Sequence, residues 1–285
     1  MGLFKKKENK PSFIVDEVQK TLHKNLDFTA TEQYKLLRTN LDFVLPAGEK
    51  CPIIGITSST RGEGKSTTAI NLSYVLAEKG SKVLLVDGDL RLPSIAKKME
   101  MENKKGLTDL LMNKPLQLEE FRSSMLENWY ILSSGEIPPN PSELLGSNRM
   151  ESALTKLREM FDYIVIDLPP VNIVSDAMSI ARLITGMLVV MREDYTERKE
   201  LETCFRQLEL SHVKILGCVM TYSKSLGASH HRYNKRYKKY KKYKYYGRYG
   251  KYGHYGDYGY DGGYGYNYQP EDENTEKKDQ KGKKS

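Results

Sequence analysis

With 285 residues, the chain is long enough for one large α/β domain or two small ones, with a sizeable core. Hydrophobic residues make up 39% and charged residues 29%, and the mean hydropathy of -0.61 indicates that part of the chain is not packed. No apolar run approaches the ~18 to 20 residues that cross a bilayer, the best, Leu183 to Met191, being about half that.

At the start, Met1-Gly2-Leu3-Phe4-Lys5-Lys6-Lys7 lacks the apolar stretch of a signal peptide, and Lys6 stands where a myristoylation motif needs Ser or Thr. The expected location is therefore the cytoplasm. The three lysines add attraction to anionic lipid of about 1 kcal/mol each, too little to anchor the chain alone. Cys51, Cys204 and Cys218 are far apart and odd in number, so neither a disulfide framework nor a zinc site is expected, only reduced and mostly buried thiols. Residues 13 to 45 read as helical, with Glu32, Lys35 and Arg38 three apart on a helix that also carries Leu37 and Leu41. These charges fit either a solvated face with weak Glu–Lys pairing or an interaction surface.

Next come short β-rich runs alternating with helical patterns. The runs are Pro52 to Thr57, Val83 to Asp87, Trp129 to Ser133, Tyr163 to Asp167, Met187 to Met191 and Lys214 to Met220. Continuous rather than alternating apolarity marks strands buried on both faces. Between them Ala69, Leu72, Val75 and Leu76 recur at helical spacing and are closed by Gly80. Met150, Ala153, Leu154, Leu157 and Phe161 form a second such set, and Leu201, Phe205 and Leu208 a third, behind an expected N-cap at Thr196. This alternation predicts a doubly wound α/β fold around a mostly parallel sheet.

The first strand runs into Ser58-Ser59-Thr60-Arg61-Gly62-Glu63-Gly64-Lys65-Ser66-Thr67, the strand–turn–helix setting of a P-loop. Glycines allow backbone N–H groups to turn onto phosphates, the helix directs its positive end there, Lys65 reaches the β and γ oxygens, and Ser66 offers a hydroxyl to Mg²⁺. Arg61 to Thr67 are the candidate nucleotide-binding residues. Ser59 replaces the first glycine of the usual pattern. Two further strands end in acids, Asp87-Gly88-Asp89-Leu90-Arg91 and Asp167-Leu168-Pro169-Pro170, at the edge where open α/β sheets bind ligands. Lys65, Asp87, Asp89 and Asp167 are the candidate catalytic residues, and Ser66, Asp87, Asp89 and Asp167 the candidate metal shell. Arg91 is read as a charge partner for these carboxylates in preference to a phosphate contact.

Residues 1 to 229 carry 30 basic and 30 acidic side chains, whereas the remainder carries 15 against 7. The same remainder holds Tyr233, Tyr237, Tyr240, Tyr243, Tyr245, Tyr246, Tyr249, Tyr252, Tyr255, Tyr258, Tyr260, Tyr264, Tyr266 and Tyr268, fourteen of the twenty tyrosines. With almost no Leu, Ile or Val this stretch cannot form a core, and it reads as a disordered appendage. The domain expectation is an N-terminal helical region at 1–48, a P-loop domain at 49–227 and a tail at 228–285.

The chain resembles the bacterial tyrosine kinases, specifically the separate cytoplasmic kinases of capsule and exopolysaccharide synthesis in Gram-positive bacteria. The resemblance rests on the P-loop, the Asp-x-Asp-x-Arg site at Asp87 to Arg91, the Asp-x-x-Pro at Asp167 to Pro170, the Pro138-Pro139-Asn140-Pro141-Ser142-Glu143-Leu144-Leu145 segment and the tyrosine cluster. It implies a ParA/MinD-like P-loop NTPase fold, ATP and Mg²⁺ as cofactors, and autophosphorylation of the tail tyrosines between subunits of a ring-like homo-oligomer. In that ring Glu32, Lys35 and Arg38 stand for the family's Glu-x-x-Arg-x-x-Arg motif, with Lys35 departing from it. Thr221 stands where relatives commonly have Asn near the adenine. The resemblance also implies a transmembrane polysaccharide co-polymerase as adaptor and activator, recruitment to the inner membrane face, a cognate tyrosine phosphatase, and no nucleic-acid partner. The other class left open is a ParA- or MinD-like ATPase switch whose basic, aromatic tail binds nucleic acid. Those ATPases usually carry an extra lysine aligned with Thr60 or Arg61, which favours the kinase.

Overall fold

A computed structural model describes residues 26–102, 105–114 and 117–223. The expected helix before residue 26, the domain boundary near Gly227, the lysine cluster and the tail tyrosines lie outside the described residues.

Helix α1 (Phe28–Val44) starts where the Asp27 carboxylate accepts the Ala30 N–H at 2.7 Å, an N-cap that satisfies one of the first turn's free donors. It is followed by β1 (Ile53–Ser58), α2 (Lys65–Glu78), β2 (Val83–Asp87), the short α3 (Ile95–Lys98) and α4 (Leu107–Leu111), β3 (Trp129–Leu132), α5 (Pro141–Leu145), α6 (Asn148–Arg158), β4 (Tyr163–Asp167), α7 (Asp176–Ser179), β5 (Gly186–Arg192), α8 (Arg198–Leu210) and β6 (Ile215–Thr221). The six strands form one sheet in the order β3-β2-β4-β1-β5-β6, and every neighbouring pair is parallel. The expected strands are all present, with bounds shifted by at most one residue.

Because successive strand residues point to opposite faces, each central strand feeds two cores. Leu84, Val86, Ile164, Ile166, Met187 and Val189 pack on the side of α4 to α8, with Leu145, Leu154 and Leu208. Val83, Leu85, Val165, Leu188 and Val190 pack on the other, with Leu72, Val75 and Leu76 of α2 and Leu41 of α1. This double burial is why the strands read as unbroken apolar runs. Trp129, fully buried, donates its indole N–H to Ser73 Oγ at 3.1 Å and meets Tyr74 edge-on, fixing β3 against α2.

Two local expectations need correction. Thr196 is not the N-cap of α8; that position is Glu197, without a side-chain cap. The Thr196 hydroxyl instead accepts the Arg192 N–H at 2.8 Å and donates to Glu63, so it is spent on the phosphate loop. Phe161 lies beyond the end of α6, yet it is buried and stacks edge-on with Tyr130.

Cys51 and Cys204 are buried, whereas Cys218 is exposed on the edge strand β6. Burial pushes the Cys51 thiol up to about 11 and the Cys204 thiol up to about 12. Since the thiolate is the reactive form, a disulfide reagent at pH 8 should modify Cys218 at least about tenfold faster than the other two, which should react only on unfolding. Three equal rates in the native protein would contradict this packing.

Candidate nucleotide site

The site is built at the C-terminal edge of the sheet's centre. β1 ends at Ser58, the chain turns through residues 59–64, and α2 begins at Lys65. Gly62 and Gly64 have φ of +80° and +94°, a region that costs L-residues free energy and that glycine enters freely. The turn leaves the first N–H groups of the 14-residue α2 facing the loop's interior, a ready anion site.

Parallel pairing of β2 with β4 sets Asp87 beside Asp167. Between the loop and these strand ends, the Lys65 ammonium lies 2.9 Å from Asp89 Oδ2 and 3.5 Å from Asp167 Oδ1. Burial lowers the Lys65 pKa, but the charges of Asp167 and Asp89 outweigh it and hold the group above its ordinary value. Asp89 Oδ1 accepts the Leu92 N–H, and Asp87 Oδ2 accepts those of Ser94 and Ile95 at 3.0 and 2.9 Å. Asp87 thereby fixes the start of α3 and leaves its other oxygen free. The Ser94 hydroxyl donates to Ser66 Oγ at 2.8 Å.

Asp87 Oδ1 and both oxygens of Asp167 are buried without a hydrogen-bond partner. Burial pushes the Asp167 carboxyl up against the opposing pull of Lys65. Burial first, and the Asp167 charge second, push Asp87 up to about 7. Carboxylate oxygens without hydrogen bonds, close to an ammonium and a serine hydroxyl, fit a divalent cation that would neutralise phosphate charge. Mg²⁺ takes one or two carboxylates and completes its shell with water and phosphate. Ser66, Asp89 and Asp167 are the residues that would hold it, with Asp87 beside Asp167 adding negative charge next to the ion.

The remaining expected residues divide. Arg61 is exposed and its carbonyl accepts the Tyr195 hydroxyl at 3.0 Å, while the Gly62 carbonyl accepts from Arg192. Thr67 is half-buried in the first turn of α2. Glu63 contributes main chain to the loop, and its fully buried side chain accepts from Ser59 and Thr60 of the same loop. Thr221 Oγ1 donates to the Glu63 and Met191 carbonyls, so its hydroxyl is committed to the main chain. Arg91 grips the buried carboxylate of Asp176 with Nε at 2.9 Å and Nη2 at 3.1 Å, and Ser142 of α5 bonds the same carboxylate. Arg91 thus joins α5 and α7 to the loop after β2, a structural role.

The structure does not bring Glu32, Lys35 and Arg38 to this site. Glu32 and Lys35 pair with each other at 3.1 Å, and the Arg38 guanidinium donates to the Val75 carbonyl of α2. Sequence reasoning missed Ser94, Glu63 as a side chain, Thr196 and Asp176. Ser94 follows Pro93 directly after the acidic site, a weak signal, and Asp176 carried none.

Residues 51–199 match the AAA domain family. The chain is 36% identical over 203 residues to tyrosine-protein kinase YwqD of Bacillus subtilis (strain 168), covering 71% of this chain and 85% of that one. It belongs to the bacterial tyrosine-protein kinases. Among solved structures, the kinase matches the chimerical protein CapA2B2 with a TM-score of 0.65 and 30% identity, over 72% of this chain and 89% of that one. The TM-score falls to 0.50, at 27% identity, for the septum site-determining protein MinD complexed with Mg-ADP from Pyrococcus horikoshii OT3, over 61% of the kinase and 72% of MinD. No helix among the kinase's described residues is long and apolar enough to cross a membrane.

The raised Asp87 value carries a pH dependence. Its folded pKa of about 7 lies above the ~3.9 of an unfolded Asp, so the folded kinase binds the proton more tightly. That contribution to stability is fully present below about 4 and is lost as the pH rises through about 7. A divalent cation offsets the loss. The thermal midpoint gained from Mg²⁺ with ADP should therefore be larger at pH 8 than at pH 6, and equal gains would count against a cation close to the Asp87 charge.

Proposed function

We propose that the chain transfers the γ-phosphoryl group of ATP to tyrosine hydroxyls of its own C-terminal cluster, presented by a neighbouring copy. What chiefly supports this is the Lys65 ammonium held between Asp89 and Asp167 at the mouth of the loop, beside buried carboxylate oxygens without hydrogen bonds. Phosphoryl transfer of this kind is accelerated by positioning and charge neutralisation. Bound Mg²⁺ would supply neutralisation of charge on the β and γ oxygens. Lys65 stabilises charge on the γ-phosphate, and Ser66, whose Oγ accepts the Ser94 hydroxyl, would hold the cation together with Asp89 and Asp167.

Asp87 accepts the phenolic proton through its free oxygen. A phenol of pKa ~10 is not deprotonated in advance by a carboxylate, and in a loose transition state it need not be, because the attacking oxygen becomes acidic only as the new bond forms. Raising Asp87 toward 7 makes it a better acceptor than an ordinary carboxylate.

The tyrosine cluster fits the role of substrate. A flexible chain of about 50 residues has an r.m.s. reach of roughly 35 to 40 Å, enough to visit an adjacent site. Each phosphate adds about -1.5 to -2 charges, so about five would cancel the tail's basic excess. In this reading the output is charge reversal of the tail, which loosens a ring-like assembly and thereby regulates capsular or exopolysaccharide synthesis and export. A transmembrane polysaccharide co-polymerase serves as the activating membrane adaptor, and a tyrosine phosphatase resets the tail.

The test is mass spectrometry of the tail after expression of the native chain and of Lys65→Met. Several of Tyr233 to Tyr268 should carry phosphate in the native chain, falling by about a hundredfold or more in the variant. Tyrosine phosphate at native levels in Lys65→Met would remove the autokinase reading, and release of free phosphate without phosphotyrosine would point to an ATPase switch.

A further inference from the structure

Glu63 presents a physical conflict. Its carboxylate is fully buried within the loop that receives an anionic ligand, one residue from Gly64 and two from Lys65. Oε1 accepts from Ser59 Oγ at 2.8 Å and from Thr196 Oγ1, and Oε2 accepts the Thr60 N–H at 2.8 Å. All three donors are neutral, and Glu63 pairs with no cation among the described residues. No direct ion pair compensates the charge, unlike Asp89 and Asp167, which share Lys65.

The hydrogen bonds explain the shape of the loop. Through Thr196, which also accepts the Arg192 N–H, the carboxylate ties the phosphate loop to the turn between β5 and α8. They do not explain the charge. Ser and Thr hydroxyls rotate to become acceptors, so a glutamine could accept the Thr60 N–H with its oxygen and donate to Ser59 or Thr196 with its nitrogen. The neutral amide would fill the same space without the desolvation cost of an anion. What the carboxylate adds is repulsion toward phosphates, in a setting where water screens little.

We propose that Glu63 is a positioning residue whose buried negative charge also weakens the hold of the phosphate loop on the nucleotide product, so that ADP leaves faster. This rests on the nucleotide-binding reading above. Loop and release are thereby set by one side chain: its oxygens build the cradle, and its charge keeps the cradle from binding ADP too tightly.

The experiment is titration of the full chain with a fluorescent ADP analogue and Mg²⁺, for native protein, Glu63→Gln and Glu63→Ala, with circular dichroism melts of each. Glu63→Gln should melt at or above the native temperature and bind ADP about tenfold tighter, with a correspondingly slower off-rate, the effect of removing a unit charge roughly 10 Å away at an effective dielectric of about 20. Glu63→Ala, which loses the tether as well as the charge, should bind more weakly than Glu63→Gln. A purely structural role predicts equal or weaker binding in both variants. A folded Glu63→Gln with native or weaker ADP affinity overturns the inference, and so does a Glu63→Gln that fails to fold, since the charge would then be needed to build the loop. If the native chain binds no ADP, the nucleotide reading fails and takes the inference with it.

Discussion

The constraint on which the site depends is the crowding of three carboxylates around one ammonium at the end of a parallel sheet. Strand pairing makes Asp87 and Asp167 neighbours whether or not their charges favour it. Two buried acids side by side repel and are poorly solvated, so such a pair persists only where other interactions hold it. Here Lys65 compensates from the start of α2, and the N–H groups of Ser94 and Ile95 compensate from the start of α3. The compensation is incomplete: three carboxylate oxygens remain without hydrogen bonds. The fold therefore carries a local deficit of positive charge beside the phosphate loop, which a bound cation would relieve.

The scaffold around this deficit is stiff because each central strand is committed on two faces. A shift of β2 or β4 would disturb the packing of α2 on one side and of the later helices on the other. The surrounding loops are held by side-chain contacts with partners distant in sequence. Arg91 reaches Asp176 and Ser142, and Thr196 reaches Glu63. These bonds tie together the loops after β2, β3 and β4 and, separately, the loop after β5 and the phosphate loop after β1.

Much of this was legible in the chain itself, for identifiable reasons. Strands buried on both faces leave unbroken apolar runs, so β2 and β4 could be bounded to the residue, and the acids that follow them mark the ligand-binding edge. Lys65, Ser66, Asp87, Asp89 and Asp167 were legible because the P-loop and the acidic strand ends are local patterns with a known geometry, and the structure gathers them. The partner of Arg91 was not, because Asp176 is 85 residues away and nothing near it in sequence announces a buried carboxylate. Thr196 was misread because a threonine ahead of a helix ordinarily caps it; only the tertiary structure brings Glu63 within reach of its hydroxyl. Glu63 itself was legible as main chain and not as a side chain, since phosphate-loop patterns concern backbone N–H groups.

The contact between Arg38 and the Val75 carbonyl has a mechanical meaning. Val75 and Lys65 belong to one uninterrupted helix, about 15 Å apart along its axis. The outer helix is thus bolted to the far end of the same rod whose near end carries Lys65. Leverage exerted on that outer helix by anything seated on its exposed side, where Leu36 and Phe43 lie bare to solvent, bears on the axis of the lysine's own support.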